Sequence, residues 1–149
     1  MAAVDFFLKL DGMEGESHDA KHKGEIDIFS FSWGVSVPVR KAGGGPDNSV
    51  FEDLVIVKHV DRTSPQLMLA CASGKHIKFA TFMVVPTDEN GAPRGNTMML
   101  KIEDVVVESV RQMGNEHGGD FPTEEVTLDG ARVASFTVGP AGGGGGANT

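Results

Sequence analysis

A chain of 149 residues, 40% hydrophobic and 23% charged, has the size and composition of one folded domain. Its formal charge of −8 excludes a nucleic-acid partner, whose phosphates would be repelled. The single cysteine, Cys71, excludes an intramolecular disulfide framework.

Asp5, Lys9 and Asp11 interrupt the first twelve residues, where a signal peptide would place its apolar core, and no stretch is apolar enough for membrane insertion. A chain of this kind that leaves the cytoplasm is expected to use a route without a cleaved signal. Val4, Phe6, Leu8 and Leu10 alternate with Asp5, Phe7, Lys9 and Asp11, the period of a half-buried strand that ends at Gly12 and Gly15. The polar stretch up to Gly24 sets His18 and His22 four residues apart. On a helix that spacing would put both rings on one face, as in zinc sites. Asp19 rather than Glu follows the first histidine, two ligands fall short of a zinc set, and no apolar stripe marks a helix. The stretch is read as a solvated connection.

In "EIDIFSFSWGVSV", Ile26 and Ile28 share one parity, while Phe29, Phe31 and Trp33 share the other. Either a bulge near Ile28–Phe29 switches faces, or both faces of the strand are covered. "PVRKAGGGPDNS" is an exposed, turn-rich loop. "FEDLVIVKHV" reads as a strand, apolar on both parities from Leu54 to Val57. "TSPQLMLACASGK" is the one helix. Ser64 is its expected cap, Pro65 its first position, Gly74 its left-handed exit, and Leu67, Cys71, Met68 and Ala72 its apolar stripe.

"HIKFATFMVV" is a strand and Asn90–Gly91 centres a hairpin-type loop. "TMMLKIEDVVVESVRQM" is extended with a bend near Asp104. "EEVTLD" and "ARVASFTV" are two further extended pieces joined at Asp129–Gly130. The Gly-rich end is read as a flexible tail. The expected class is all-β, a barrel or two-sheet sandwich of seven to eight strands with one short flanking α-helix. Residues 1–139 form the domain and residues 140–149 the tail.

Reactive chemistry is sparse. His59, His76 and His117 are scattered, and Cys71 lies on the apolar stripe of the helix. No Gly-x-Ser-x-Gly elbow occurs, and the glycine runs lack the Lys-Ser/Thr of a phosphate loop. Glu103–Asp104 and Glu124–Glu125 are adjacent, so on strands they point to opposite faces. No catalytic, cofactor-binding or metal-ligating residue is predicted. The stronger signal is apolar surplus. Phe29, Phe31, Trp33 and the 54–57 and 77–85 runs exceed what one barrel interior and one helix can cover. Sister copies closing into a ring would cover the rest. The competing reading is a small-molecule or metal-binding β-barrel, an enzyme included, with His18 and His22 among its ligands.

"FLKLDGMEGES", "AKHKGEIDIFSFSWG" and "SPQLMLACASGKHI" resemble the Hcp proteins, tube subunits of the bacterial type VI secretion system. The likeness runs from about Val4 to Val138. It implies a β-barrel with a helix at its flank, homohexameric rings that stack into a tube, and secretion without a cleaved signal. Its implied partners are a spike protein, a contractile sheath and small effectors carried in the lumen. The family has no catalytic residues to carry over. "VRKAGGGPDNSVFED" matches its long loop between early strands, which implies contacts for Arg40, Lys41, Pro46 and Phe51. Phe29, Phe31 and Trp33 are the expected subunit contacts on the neighbouring strand. The triple glycine of the loop and the Gly-rich end depart from the family pattern.

Overall fold

The computed structural model describes residues 3–36, 50–116, 121–140 and 146–147. Their elements in chain order are β1 (Ala3–Leu10), β2 (Ile26–Ile28), β3 (Ser30–Ser32), β4 (Val35–Ser36), β5 (Val50–Phe51), β6 (Leu54–His59), α1 (Ser64–Ser73), β7 (His76–Thr87), β8 (Asn96–Met113), β9 (Thr123–Pro140) and β10 (Gly146–Ala147). The main sheet runs β2-β1-β7-β8-β9-β6-β3, with every pairing antiparallel. β10 pairs with β9, and β4 with β5 in a separate two-stranded ribbon.

The two ends of that order are consecutive in sequence. β2 pairs with β1, and after Phe29 the same extended segment pairs with β6 as β3. The Phe29 N–H donates to the Val57 carbonyl at 2.7 Å. One segment therefore bridges both sheet edges and closes the sheet into a barrel, which removes the exposed edges a flat sheet would carry. The parity conflict in "EIDIFSFSWG" has the same cause. Ile26 and Ile28 point inward; then the chain steps outward at Phe29, and Phe31 and Trp33 turn to the core edge.

The interior is aliphatic. Leu8, Leu10, Ile26, Leu54, Ile56, Leu67, Leu100, Val105, Val126 and Leu128 are buried around Phe82. Their alternation along each strand is the period of two that the sequence shows. Phe31 packs edge-on to Phe6 at 5.3 Å and against Phe82 at 4.7 Å. Phe7, on the opposite parity of β1, is buried as well.

Three expectations change in detail. "EEVTLD" and "ARVASFTV" are one strand, β9, with no turn at Asp129–Gly130. Gly130 serves a close approach instead: a Cβ there would lie 2.9 Å from Ile102 Cβ. Ser64 does not cap α1. Thr63 holds the cap position without a side-chain capping bond, and Pro65 follows Ser64 in the first turn. Asp61 Oδ1 accepts from the Thr63 N–H at 2.8 Å and organises the entry. The buried face of α1 is Ser64, Leu67 and Ala70, whereas Met68 and Ala72 are exposed. The exit is as expected, with Gly74 at φ 66°. The bend near Asp104 is real: this residue sits at φ 53°, a left-handed conformation that aspartate tolerates better than most.

Candidate assembly surface

The stretch with the two histidines is loop and turn throughout, not helix. His18 is exposed, as expected of a solvated connection. His22 is not: it is buried, stacked on Phe7 at 4.2 Å, with Nδ1 3.0 Å from Glu25 Oε2. Phe7 supplies an apolar lid and Glu25 a polar partner, so burial of the ring leaves no unmet hydrogen bond at Nδ1. The i, i+4 spacing therefore does not place the two rings side by side, and the metal-binding alternative loses its motif. Gly15 holds this loop close to β2. A Cβ at that position would meet the Glu25 carbonyl and lie 2.8 Å from Ile26 Cα.

Between this loop and the strand crossing lies an open cleft of about 470 Å³, lined by residues that include Val4, Phe6, His18, Asp27 and Phe29. Val4 is 53% exposed and Phe29 68% exposed. Burial holds the Asp27 carboxyl above its ordinary pKa, and the charges of Asp5 and Asp61 add to the rise; the Ser17 hydroxyl and His18 oppose it. The cleft is apolar at Phe29 and Val4 and acidic at its rim.

The other expected contact residues have different surroundings. Trp33 is half-buried, stacked on Phe51 with ring centroids 6.3 Å apart and tilted against Phe136 at 5.5 Å. Phe31, Trp33 and Phe51 all pack against the protomer's own core. Arg40, Lys41, Pro46 and His117 lie outside the described residues.

Two clusters are new. At one end of the barrel Lys58 and Glu124, both fully buried, form an ion pair at 2.6 Å. Lys58 Nζ also donates to Asp61 Oδ1 at 2.8 Å and to the His59 carbonyl at 3.0 Å. The Ser64 hydroxyl and Gln112 Nε2 donate to the two Glu124 oxygens at 2.6 and 3.1 Å. Sequence signalled the placement, because Lys58 shares the inward parity of Leu54 and Ile56, and Glu124 that of Val126 and Leu128.

The second cluster gathers Asp53, Glu108 and Asp129, whose carboxylate oxygens lie within 4.8 Å of one another. A hydrogen bond with Glu108 pushes the Asp53 pKa up to about 6; burial and the Glu108 charge add, and a hydrogen bond shared with Asp129 opposes. Asp53 therefore keeps its proton to a higher pH than an ordinary aspartate, as a like charge this close favours. Glu108 reaches the group because β8 bulges between Val107 and Ser109. Strand periodicity alone does not show that displacement.

Residues 7–134 match the family model described as type VI secretion system effector, Hcp. Protein hcp1 of Pseudomonas aeruginosa is 37% identical over 134 residues, covering 88% of this chain and 81% of that protein. The crystal structure of Hcp1 from Salmonella typhimurium has a TM-score of 0.72 at 31% identity, covering 95% of this chain and 90% of its own. A type VI secretion system effector from Yersinia pestis has a TM-score of 0.70 at 28% identity, covering 97% and 98%. The closed barrel, its flanking helix and these likenesses over nearly the whole chain lead to one assignment: the chain belongs to the Hcp family, the tube proteins of type VI secretion.

Proposed function

We propose that this protein closes into homohexameric rings, that the rings stack into the inner tube of a type VI secretion system, and that the tube is secreted with small effectors in its lumen. Its partners on this reading are its own copies, the spike protein, the contractile sheath and the effectors. The role is structural rather than enzymatic. Membership of the Hcp family supports the reading, and the observation that carries it is Phe29. A phenylalanine 68% exposed beside Val4 on the barrel wall is apolar area that a neighbouring copy would bury.

Phe31, Trp33 and Phe51, partly buried against the protomer's own core, are proposed contacts through the part of each ring that stays exposed. Arg40, Lys41 and Pro46 are proposed contacts of the loop that precedes Phe51. Light scattering at micromolar concentration tests the reading. The expected mass is six times the 15.7 kDa of one chain. Phe29→Asp should shift the population toward the single-chain mass by placing a charge in the contact, with the thermal unfolding transition retained. A single-chain mass for the unaltered protein at micromolar concentration would overturn the ring.

A further inference from the structure

The loop between β7 and β8 is organised by Asp88. Its carboxylate Oδ1 accepts from the Asn90 N–H at 2.8 Å and from the Ala92 N–H at 3.0 Å. Its backbone N–H donates to the Ala92 carbonyl at 2.9 Å, and its carbonyl accepts from the Gly91 N–H at 3.0 Å. Gly91 sits at φ 80°, a left-handed conformation that helps close the hairpin and suits glycine. Asn90 and Gly91 are both exposed.

An asparagine side chain can react with the backbone nitrogen that follows it. That nitrogen loses its proton and bonds to the side-chain carbonyl carbon. The side-chain nitrogen takes up a proton and leaves as ammonia, so a cyclic imide remains. Water then opens the imide at either carbonyl, giving aspartate or an isoaspartyl link that runs through the side chain. The sequence needs water and no oxidant. It is fastest before glycine, which has no side chain to shield the nitrogen. Of the five asparagines in the chain only Asn90 precedes glycine; Ser49, Thr97, Glu116 and Thr149 follow the others. The attacking nitrogen must be free to move, and here the Gly91 N–H is held by the Asp88 carbonyl. The turn therefore carries the most reactive pair in the chain for this chemistry and keeps its nucleophile tied.

We propose that Asn90–Gly91 is a site of spontaneous deamidation and that Asp88 sets its rate by holding the turn closed. The reaction waits for the turn to open, so its rate is the rate in the open turn multiplied by the open fraction. Each conversion takes the chain from −8 to −9 and adds the charge two residues from Asp88. The isoaspartyl product also lengthens the backbone inside a turn whose hydrogen bonds fix its span. The loop lies outside the core cluster, so the barrel keeps its packing while the loop changes charge and shape.

The full chain, held at mildly alkaline pH and body temperature and then mapped by peptide mass spectrometry, reads a gain of about 1 Da at each converted asparagine. Asn90 should convert faster than Asn96, which is also exposed. Asp88→Ala removes the two bonds to the carboxylate and should speed conversion of Asn90 about 10-fold. Asp88→Asn keeps an acceptor oxygen in place and should stay near the unaltered rate, which separates hydrogen bonding from charge. The unaltered chain unfolded in urea should convert at least as fast as D88A, and this arm needs no variant to fold. An Asn90 no faster than Asn96 in either state removes the site. Equal rates in the folded and unfolded chain overturn the protection by the turn. An unchanged rate in D88A, or a D88N as fast as D88A, overturns the role given to the Asp88 carboxylate.

Discussion

The most consequential residue in this barrel is Lys58, a fully buried lysine whose ammonium contacts Glu124, Asp61 and the His59 carbonyl. Taking both charges out of water carries a large desolvation cost, and the pair persists because every nearby polar atom is matched. Glu124 has Ser64 and Gln112 on its oxygens, so removing the lysine leaves a carboxylate with hydrogen bonds but no countercharge. Lys58→Met should therefore destabilise the fold by about 3–5 kcal/mol, read from the midpoint of urea unfolding. Adding Glu124→Leu to Lys58→Met should recover most of the loss, because it removes the stranded charge rather than the packing. If the double variant is as unstable as the single one, the pair matters for the shape of this barrel end and not for its electrostatics. The pair also ties α1 to two strands, since Ser64 opens the helix while Lys58 lies one residue before the end of β6 and Glu124 one residue after the start of β9.

At the scale of elements, α1 separates local preference from tertiary choice. Its sequence offers apolar residues on nearly every side, so i, i+4 spacing alone allows more than one buried face. The structure buries Leu67 and Ala70 against β8 and leaves Leu69 70% exposed. Leu67→Ala should cost about 2–5 kcal/mol by thermal or urea unfolding, while Leu69→Ala should change stability by no more than about 0.5 kcal/mol. Equal losses would mean that α1 packs through another face. The same contrast shows what the sequence makes legible. Alternation in β1, β6 and β8 marks the core side, Gly74 marks the helix exit, and the valine cluster after Asp104 marks a bend. Asp129–Gly130 misleads because the dipeptide that suits a tight turn also suits a strand lying close to Ile102. Phe29 is legible as a parity conflict, whereas its exposure depends on the barrel closing between β1 and β6. The carboxylates of Asp53, Glu108 and Asp129 meet through a bulge in β8, and the partner of Lys58 is its cross-strand neighbour in β9, 66 residues away in sequence. Both are long-range facts that a local pattern does not carry.

At the scale of the whole molecule, charge sets how copies meet. Each chain carries −8, so a ring of six would carry −48. Thirteen lysines and arginines stand against twenty-one aspartates and glutamates, and not all of the cations are available to a neighbour. Lys58 is sealed inside the barrel, and Arg132 lies 3.3 Å from Glu103 of the same chain. Contacts within a ring can rest on apolar area such as Phe29, which salt hardly weakens. Stacking of the proposed rings would bring two bodies of strongly negative net charge together, and at physiological salt their repulsion would extend over about 8 Å. Ring mass should therefore stay constant while the growth of tubes from rings increases as salt is raised from about 20 mM to about 500 mM, where screening shortens from roughly 20 Å to roughly 4 Å. Light scattering of one preparation across that series separates the two steps, because rings and tubes differ greatly in mass. Tubes that grow best at low salt would mean that a few complementary ion pairs between rings outweigh the net charge. The cations to seek would then be those free of partners within their own protomer.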